Sequence, residues 1–207
     1  SVMTMEVLIA FIAACLLLGL TPGPNMSLIV ANTLSTGLAA GLFTLAGTTT
    51  GLALLVAAAV MGMSSVMVFM SEWFDVVRFL GALYLVWLGA RQLWQFWKAE
   101  RGQSAPSVSR GNCYVQGLLV SMSNPKVMLF LGAFLPQFID PRGDAVGQLT
   151  VLAILFVLVL AAVDVGYTLA LARARTRFSV ARLRFLDGAA GVLLLLGGAV
   201  LATMRRP

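Results

Sequence analysis

The sequence predicts an all-α membrane protein of about six transmembrane helices, arranged as two inverted halves of three. Three observations carry this expectation. The chain is 60% hydrophobic and 11% charged, its mean hydropathy is +0.96, and no charged residue occurs from Val7 to Ser71. That is too apolar for a soluble core. The longest polar stretch, Lys98 to Asn112, divides the chain into two parts. Each part opens with an apolar run interrupted by proline: Thr21-Pro22-Gly23-Pro24-Asn25 within Val7 to Ala31, and Ser123-Asn124-Pro125-Lys126 within Val115 to Phe138.

The spans follow in order. Span 1 is expected from Met5 to Thr33, broken at the first proline motif. Span 2 runs from Leu38 to Gly62 and carries Gly37-x-x-x-Gly41 and Gly47-x-x-x-Gly51, a spacing that lets helices approach closely. The preferred reading is packing within the chain, with a homo-oligomer contact left open. Span 3, Val76 to Trp94, ends at Trp94 and Trp97 beside Lys98, a pattern that fits an interfacial aromatic belt. Glu72, Asp75 and Arg78 are expected to be solvated at its outer end. Span 4 runs from Cys113 to Phe138 and is broken at the second motif. Span 5 runs from Leu149 to Ala172, and span 6 from Phe185 to Met204. Each reaches the roughly 20 residues that cross about 30 Å of hydrocarbon. Phe79-Leu80-Gly81-Ala82 in span 3 is loosely echoed by Leu186-Asp187-Gly188-Ala189 in span 6.

The expected organisation is one transmembrane domain over residues 1–207: a first repeat at about 1–97, a loop at 98–112 and a second repeat at 113–207. Three spans per half is odd, so the second half must enter from the opposite side. The first run lacks a basic segment before it and leads into further spans, so a cleaved signal peptide is not expected.

Net charge is +6. Its source is local: Lys98, Arg101 and Arg110 in one loop, and Arg173, Arg175, Arg177, Arg182 and Arg184 in another. Both loops lie on one side of a six-span chain. The positive-inside rule makes that side cytoplasmic and places both termini outside, against the dissent of Arg205-Arg206. The charge is therefore topological, and no nucleic-acid partner is expected; the partners are the lipid bilayer and a small solute. Histidine is absent, and Cys15 and Cys113 lack metal spacing. No cofactor, metal or enzymatic activity is expected.

Proline lacks an amide hydrogen and frees the carbonyl four residues earlier. Pro22 and Pro24 therefore free Leu18 and Leu20. In hydrocarbon such groups persist only beside protein, water or a ligand. A helix restarting near Asn25 would offer amide donors and a positive dipole end. Pro22, Gly23, Pro24 and Asn25 thus make a place where a carboxylate could meet donors and an ammonium could meet carbonyls. A structural kink sealed by neighbouring helices is the plainer alternative. Asn124, Pro125 and Lys126 repeat the sequence of cap, break and restart. Lys126 is the one lysine inside a span, a costly placement. It could neutralise a substrate carboxylate, pair with an acid or snorkel. Asp164 is the clearest intramembrane acid, and Tyr167 lies at i+3 on its face. Asp164 could bind an ammonium, pair with Lys126 or carry a coupling proton. Asp187 is expected to partner Arg182 and Arg184. Thr48, Thr49 and Thr50 are expected to bond the preceding helical turn.

At these motifs the chain resembles the lysine-exporter and homoserine-exporter (LysE/RhtB) family of bacterial amino-acid exporters. The resemblance rests on Gly19-Leu20-Thr21-Pro22-Gly23-Pro24-Asn25, Gly81-Ala82-Leu83-Tyr84-Leu85-Val86-Trp87-Leu88-Gly89, and Ser123-Asn124-Pro125-Lys126 through Phe130. Pro136-Gln137-Phe138, Asp164 with Tyr167, and the glycine-rich last span add to it. It covers nearly the whole chain in order. It implies a cytoplasmic-membrane protein of about six helices that exports amino acids or close derivatives, driven by the proton gradient. Pro22, Gly23, Pro24, Asn25, Asn124, Pro125, Lys126 and Asp164 occupy its motif positions. The expected mechanism is alternating access around the two broken spans. Two other classes compete. An exporter of metal cations would need clustered ligands. A thiol–disulfide carrier would use Cys15 and Cys113, which stand in spans 1 and 4 but outside the proline motifs.

Overall fold

Helices start where capping chemistry starts them. In the computed structural model, which describes residues 3–21, 23–100, 110–140, 142–177 and 180–203, the Thr4 hydroxyl accepts from the Val7 amide and opens α1 (Met5–Leu20). Pro24 occupies the first turn of α2 (Pro24–Thr36), where its missing N–H costs nothing. The α1–α2 pair is bent by 53°. Gly37, at φ 109°, ends α2 and starts α3 (Leu38–Met61). This left-handed conformation is one that a side chain would strain. Gly62 separates α3 from α4 (Met63–Glu100).

The second part begins with α5 (Arg110–Met122), followed by a turn and the short α6 (Pro125–Leu129). Pro136 cannot donate, and the helix before it widens: Phe130–Phe134 forms a π-helical turn, with the Leu135 amide bonded to the Phe130 carbonyl. A 3-10 turn at Leu135–Phe138 closes it. The Asp144 carboxylate accepts from the Gly147 amide and caps α7 (Ala145–Thr176). The last helix is α8 (Val180–Thr203).

The described residues are thus helical throughout, with turns between, and form no strand. By length and apolarity α3 and α7 are long enough to cross a membrane, and the bent pair α1–α2 makes a third such element among the described residues. One helix start and one side chain differ from expectation. The third span was expected to begin at Val76, but α4 begins at Met63, because no proline or glycine interrupts residues 63–80. Asp75, expected to be solvated, is half-buried and has a partner. Pro22, Arg101 and the side chains of Arg78, Lys98, Arg182, Arg184 and Asp187 lie outside what is described.

Small residues set the closest helix crossings. A Cβ on Gly47 would collide with the Tyr114 carbonyl, one on Gly51 with Ser121, and one on Gly117 with the Thr44 carbonyl. Residue numbers rise together along both helices, so α3 and α5 run parallel. The expected internal packing of Gly47 and Gly51 is this contact, whereas Gly41 packs on Thr33 and Thr168. Gly89 meets Gly191 and Leu195, while Gly198 meets Ala82 and Val86, so α4 and α8 run antiparallel. Backbone-to-backbone approach of this kind is how helices associate where lipid removes the hydrophobic drive.

Two apolar clusters flank the bend. Phe11, Cys15, Leu52, Phe130, Leu135 and Phe156 join α1, α3, the π-turn and α7. Phe130 stacks on Phe156 with centroids 4.9 Å apart, and Phe11 meets Phe138 edge-on at 5.1 Å. Leu28, Ala82, Leu85, Val120 and Leu194 join α2, α4, α5 and α8. The outer faces remain apolar and exposed, with Leu17, Leu80, Leu83 and Leu158 among them. A soluble monomer rarely presents so much contiguous apolar surface.

Candidate functional site

The two proline motifs meet through one side chain. The Lys126 ammonium donates to the Leu18 carbonyl at 2.9 Å and to the Thr21 carbonyl at 2.8 Å. Residue 22 is proline, so the Leu18 carbonyl has no helical donor four residues on. A group from the second half therefore satisfies the carbonyl that the first-half proline frees.

Local structure aims the lysine. The Asn124 carboxamide oxygen accepts from the Lys126 amide at 3.0 Å, and Pro125 holds the first position of α6. Gly23 makes the room. A Cβ there would lie 3.1 Å from the Lys126 nitrogen and 3.2 Å from its Cε. The Gly23 backbone is extended, with φ −163°, a conformation any residue adopts, so what the glycine supplies is room beside the lysine tip.

Asn25 stands on the first turn of α2 and donates to the Ser121 hydroxyl at 3.2 Å. Ser121 in turn donates to the Thr48 carbonyl at 2.7 Å. This chain ties α2, α5 and α3 together beside the bend. Asp164 and Lys126 lie within electrostatic reach of each other, yet among the described residues they form no ion pair. The Tyr167 hydroxyl lies close to the Asp164 carboxylate without reaching hydrogen-bond geometry. Three buried polar atoms of these residues have no partner among the described residues: the Asn25 carbonyl oxygen, the Asn124 amide nitrogen and the Tyr167 hydroxyl. Such atoms are rare in a settled interior and call for an explanation. Together they offer an acceptor, a donor and a group that does both.

Of the expected residues, the structure joins Gly23, Asn124 and Lys126 directly. It sets Asp164 and Tyr167 within reach and places Pro24 buried in the first turn of α2. Pro22 lies outside the described residues. Thr48 and Thr50 bond the carbonyls of Leu45 and Ala46, as helical threonines do; Thr49 departs from that expectation, its buried hydroxyl having no partner among the described residues. Cys15 and Cys113 are both free and fully buried.

Sequence reasoning missed several partners. Asn32 donates to Thr44 at 2.8 Å and to Gln116 at 3.1 Å, a second buried polar layer across α2, α3 and α5. The signal was present, since Asn32 and Gln116 are amides in apolar runs. Arg175 was read only as a topological charge. It donates to the carbonyls of Leu34 and Ser35 at 2.8 and 3.2 Å and so caps the C-terminal end of α2. No local pattern could have shown this, because the contact spans 141 residues.

Comparison with known proteins agrees over most of the chain. The family described as LysE type translocator matches residues 16–205. The chain is 30% identical over 208 residues to a homoserine/homoserine lactone efflux protein of Salmonella typhimurium, covering 98% of this chain and 99% of that protein. It is 31% identical over 140 residues to a leucine efflux protein of Klebsiella pneumoniae, covering 67% and 66%. It is 30% identical over 158 residues to an uncharacterized membrane protein of Bacillus subtilis, covering 72% and 75%. No solved structure matches the chain significantly.

Proposed function

The chain belongs to the LysE type translocator family, and from that premise we propose that it exports a small amino acid or close derivative from the cytoplasm across the cytoplasmic membrane. The observation that carries this reading is the Lys126 bridge between the two proline motifs, whose own asparagines, Asn25 and Asn124, each keep a buried polar atom without a partner among the described residues. A zwitterion needs donors for its carboxylate and acceptors for its ammonium. Lys126 and Asn124 are the donors; Asp164, Asn25 and the motif carbonyls are the acceptors. Pro22, Pro24 and Pro125 expose these groups, and Tyr167 stands beside Asp164. The names of the two efflux relatives support the substrate class.

The mechanism in this reading is alternating access by two inverted three-span halves. The helix pairing supports it. Under an inverted repeat α1 corresponds to α5, and α3 to α7. The contact of α3 with α5 then has its counterpart in the contact of α1 with α7, and α4 with α8 is its own counterpart. Proton coupling would run through Asp164. The end of α7, bearing Arg173, Arg175 and Arg177, would face the cytoplasm together with Arg110.

Everted membrane vesicles test the function. Labelled homoserine and leucine should accumulate under a proton gradient, and an uncoupler should abolish the accumulation. Uptake no greater than in vesicles lacking the protein would sink the proposal. Orientation is tested by Arg177→Cys and Arg142→Cys in intact cells. An impermeant thiol reagent should label the second and spare the first; the reverse pattern would overturn the assignment.

A further inference from the structure

Two carbonyl oxygens at the end of α1 form an acceptor pair. Leu18 has lost its helical donor to Pro22. Thr21 turns its own amide and hydroxyl back to the Leu17 carbonyl, at 3.0 and 2.6 Å, and its carbonyl faces the break. One primary ammonium, that of Lys126, fills both. It arrives from more than 100 residues away through the gap that Gly23 leaves.

We propose that this carbonyl pair is a binding site for a primary ammonium, held by Lys126 in the substrate-free protein and taken by the substrate's α-ammonium during transport, with Lys126 turning to the substrate carboxylate. The inference rests on the export reading above. The lysine ε-ammonium and an amino acid's α-ammonium are the same chemical group, so a carbonyl pair that accepts one accepts the other. The unpartnered atoms complete the exchange. The Asn25 carbonyl oxygen is a further acceptor for the arriving ammonium, and the buried Asn124 amide joins the displaced Lys126 as a donor to the carboxylate. Charge is conserved at every stage: one ammonium leaves the carbonyls as another arrives. Without substrate the carbonyls are never bare, which matters where an unsatisfied polar group is costly. Lys126 thus acts as a tethered substitute for the substrate. A ligand with a carboxylate but no ammonium cannot complete the exchange.

Thermal unfolding of the purified protein tests this, with n-propylammonium chloride as the probe and tetramethylammonium chloride, which has no N–H, as the control. In the wild type the tethered lysine outcompetes free amine, and the two salts should act alike. In Lys126→Met the pair is vacant, and n-propylammonium should raise the midpoint at a concentration at least about tenfold below any effect on the wild type. Lys126→Gln keeps a neutral donor at the position and should respond in the same direction. If both variants unfold without amine, recovery of folded protein in n-propylammonium but not in tetramethylammonium is the expected result. Equal behaviour of the two salts in both variants would overturn the site. So would stabilisation of the wild type by n-propylammonium as strong as that of Lys126→Met. Export of N-acetyl-leucine as fast as leucine would overturn the exchange. Failure of the wild type to export any amino acid would instead remove the transport reading, while the salt comparison would still decide the carbonyl pair.

Discussion

The Lys126 nitrogen lies 2.9 Å from the Leu18 carbonyl oxygen, across 108 residues of sequence. Arg175 makes a like contact at the C-terminal end of the same bent pair, 2.8 Å from the Leu34 carbonyl. Both acceptors are C-terminal carbonyls, one of α1 and one of α2. Both donors are cations from the second half. Each half-helix therefore ends on a positive charge, the arrangement that the helix dipole favours. The two contacts also tie the halves together at the bend and at the end of α2, so any rocking of one half against the other must break or slide at least one of them.

Gly23→Ala tests the Lys126 contact without touching the lysine. The added methyl would lie 3.1 Å from the ammonium nitrogen, closer than ordinary van der Waals contact, so the lysine must shift. Weakening one charged hydrogen bond of this kind is worth about 1–3 kcal/mol. Gly23→Ala should lower both thermal stability and efflux, and Gly23→Val should lower them further. Full efflux in Gly23→Val would show that the lysine does not need this approach.

Arg175→Gln should act differently from any change at the break. It removes the fork that meets two carbonyls and leaves the α2 end with a weaker donor. The expected cost is about 1–2 kcal/mol of stability at a helix end, and Arg175→Lys should recover only part of it, because an ammonium lacks the planar fork. Thermal unfolding and efflux of both variants check this. Stability unchanged in Arg175→Gln would reduce Arg175 to a topological charge.

Much of this arrangement was legible in the sequence because it follows from covalent chemistry. Proline at 22 frees the carbonyl at 18 whatever the fold, and proline at 125 after an asparagine reads as a cap and a restart. The glycine spacing in span 2 announced a close helix approach. What could not be read was the pairing. That Lys126 would reach Leu18, that Asn25 would reach Ser121, or that Arg175 would cap α2 depends on how helices far apart in sequence cross. Lys126 was read as a partner for a carboxylate, because charge suggests charge; the backbone of the other half is the partner the fold supplies. The length of α4 was not legible for a related reason: the charges at Glu72, Asp75 and Arg78 suggest where an apolar span begins, but charge does not end a helix, and α4 runs on through them from Met63.

Asn25→Ala removes the link to Ser121 and the unpartnered carbonyl oxygen together. A merely structural Asn25 would make its cost appear as lost stability, about 1–3 kcal/mol for a buried donor–acceptor pair. As a substrate contact it would instead raise the apparent KM for export. Ser121→Ala separates the two roles, because it breaks the same link and leaves the Asn25 oxygen in place. Asn25→Ala is expected to impair efflux clearly more than Ser121→Ala at equal membrane abundance. Equal losses in the two variants would assign Asn25 to packing alone.

Asp164 is the remaining charge near the bend, and its relation to Lys126 decides what it does. If the two formed a structural pair, removing both would be gentler than removing one, since a lone buried charge is the costly state. Lys126→Met with Asp164→Leu would then restore stability and export together. The geometry argues against that outcome. Lys126 spends two of its donors on the Leu18 and Thr21 carbonyls, and these remain unsatisfied whatever happens to Asp164. The double variant should therefore stay inactive and unstable. Asp164→Asn keeps the shape and a hydrogen-bonding group, so it should fold and reach the membrane while losing most export. If Asp164 carries the coupling proton, the residual export should also vary less with pH than that of the wild type. Efflux at several pH values and thermal stability of the two single variants and the double variant give the answer. Recovery of export in the double variant would remove both charges from the mechanism and leave the asparagines and the motif backbone to hold the substrate unaided.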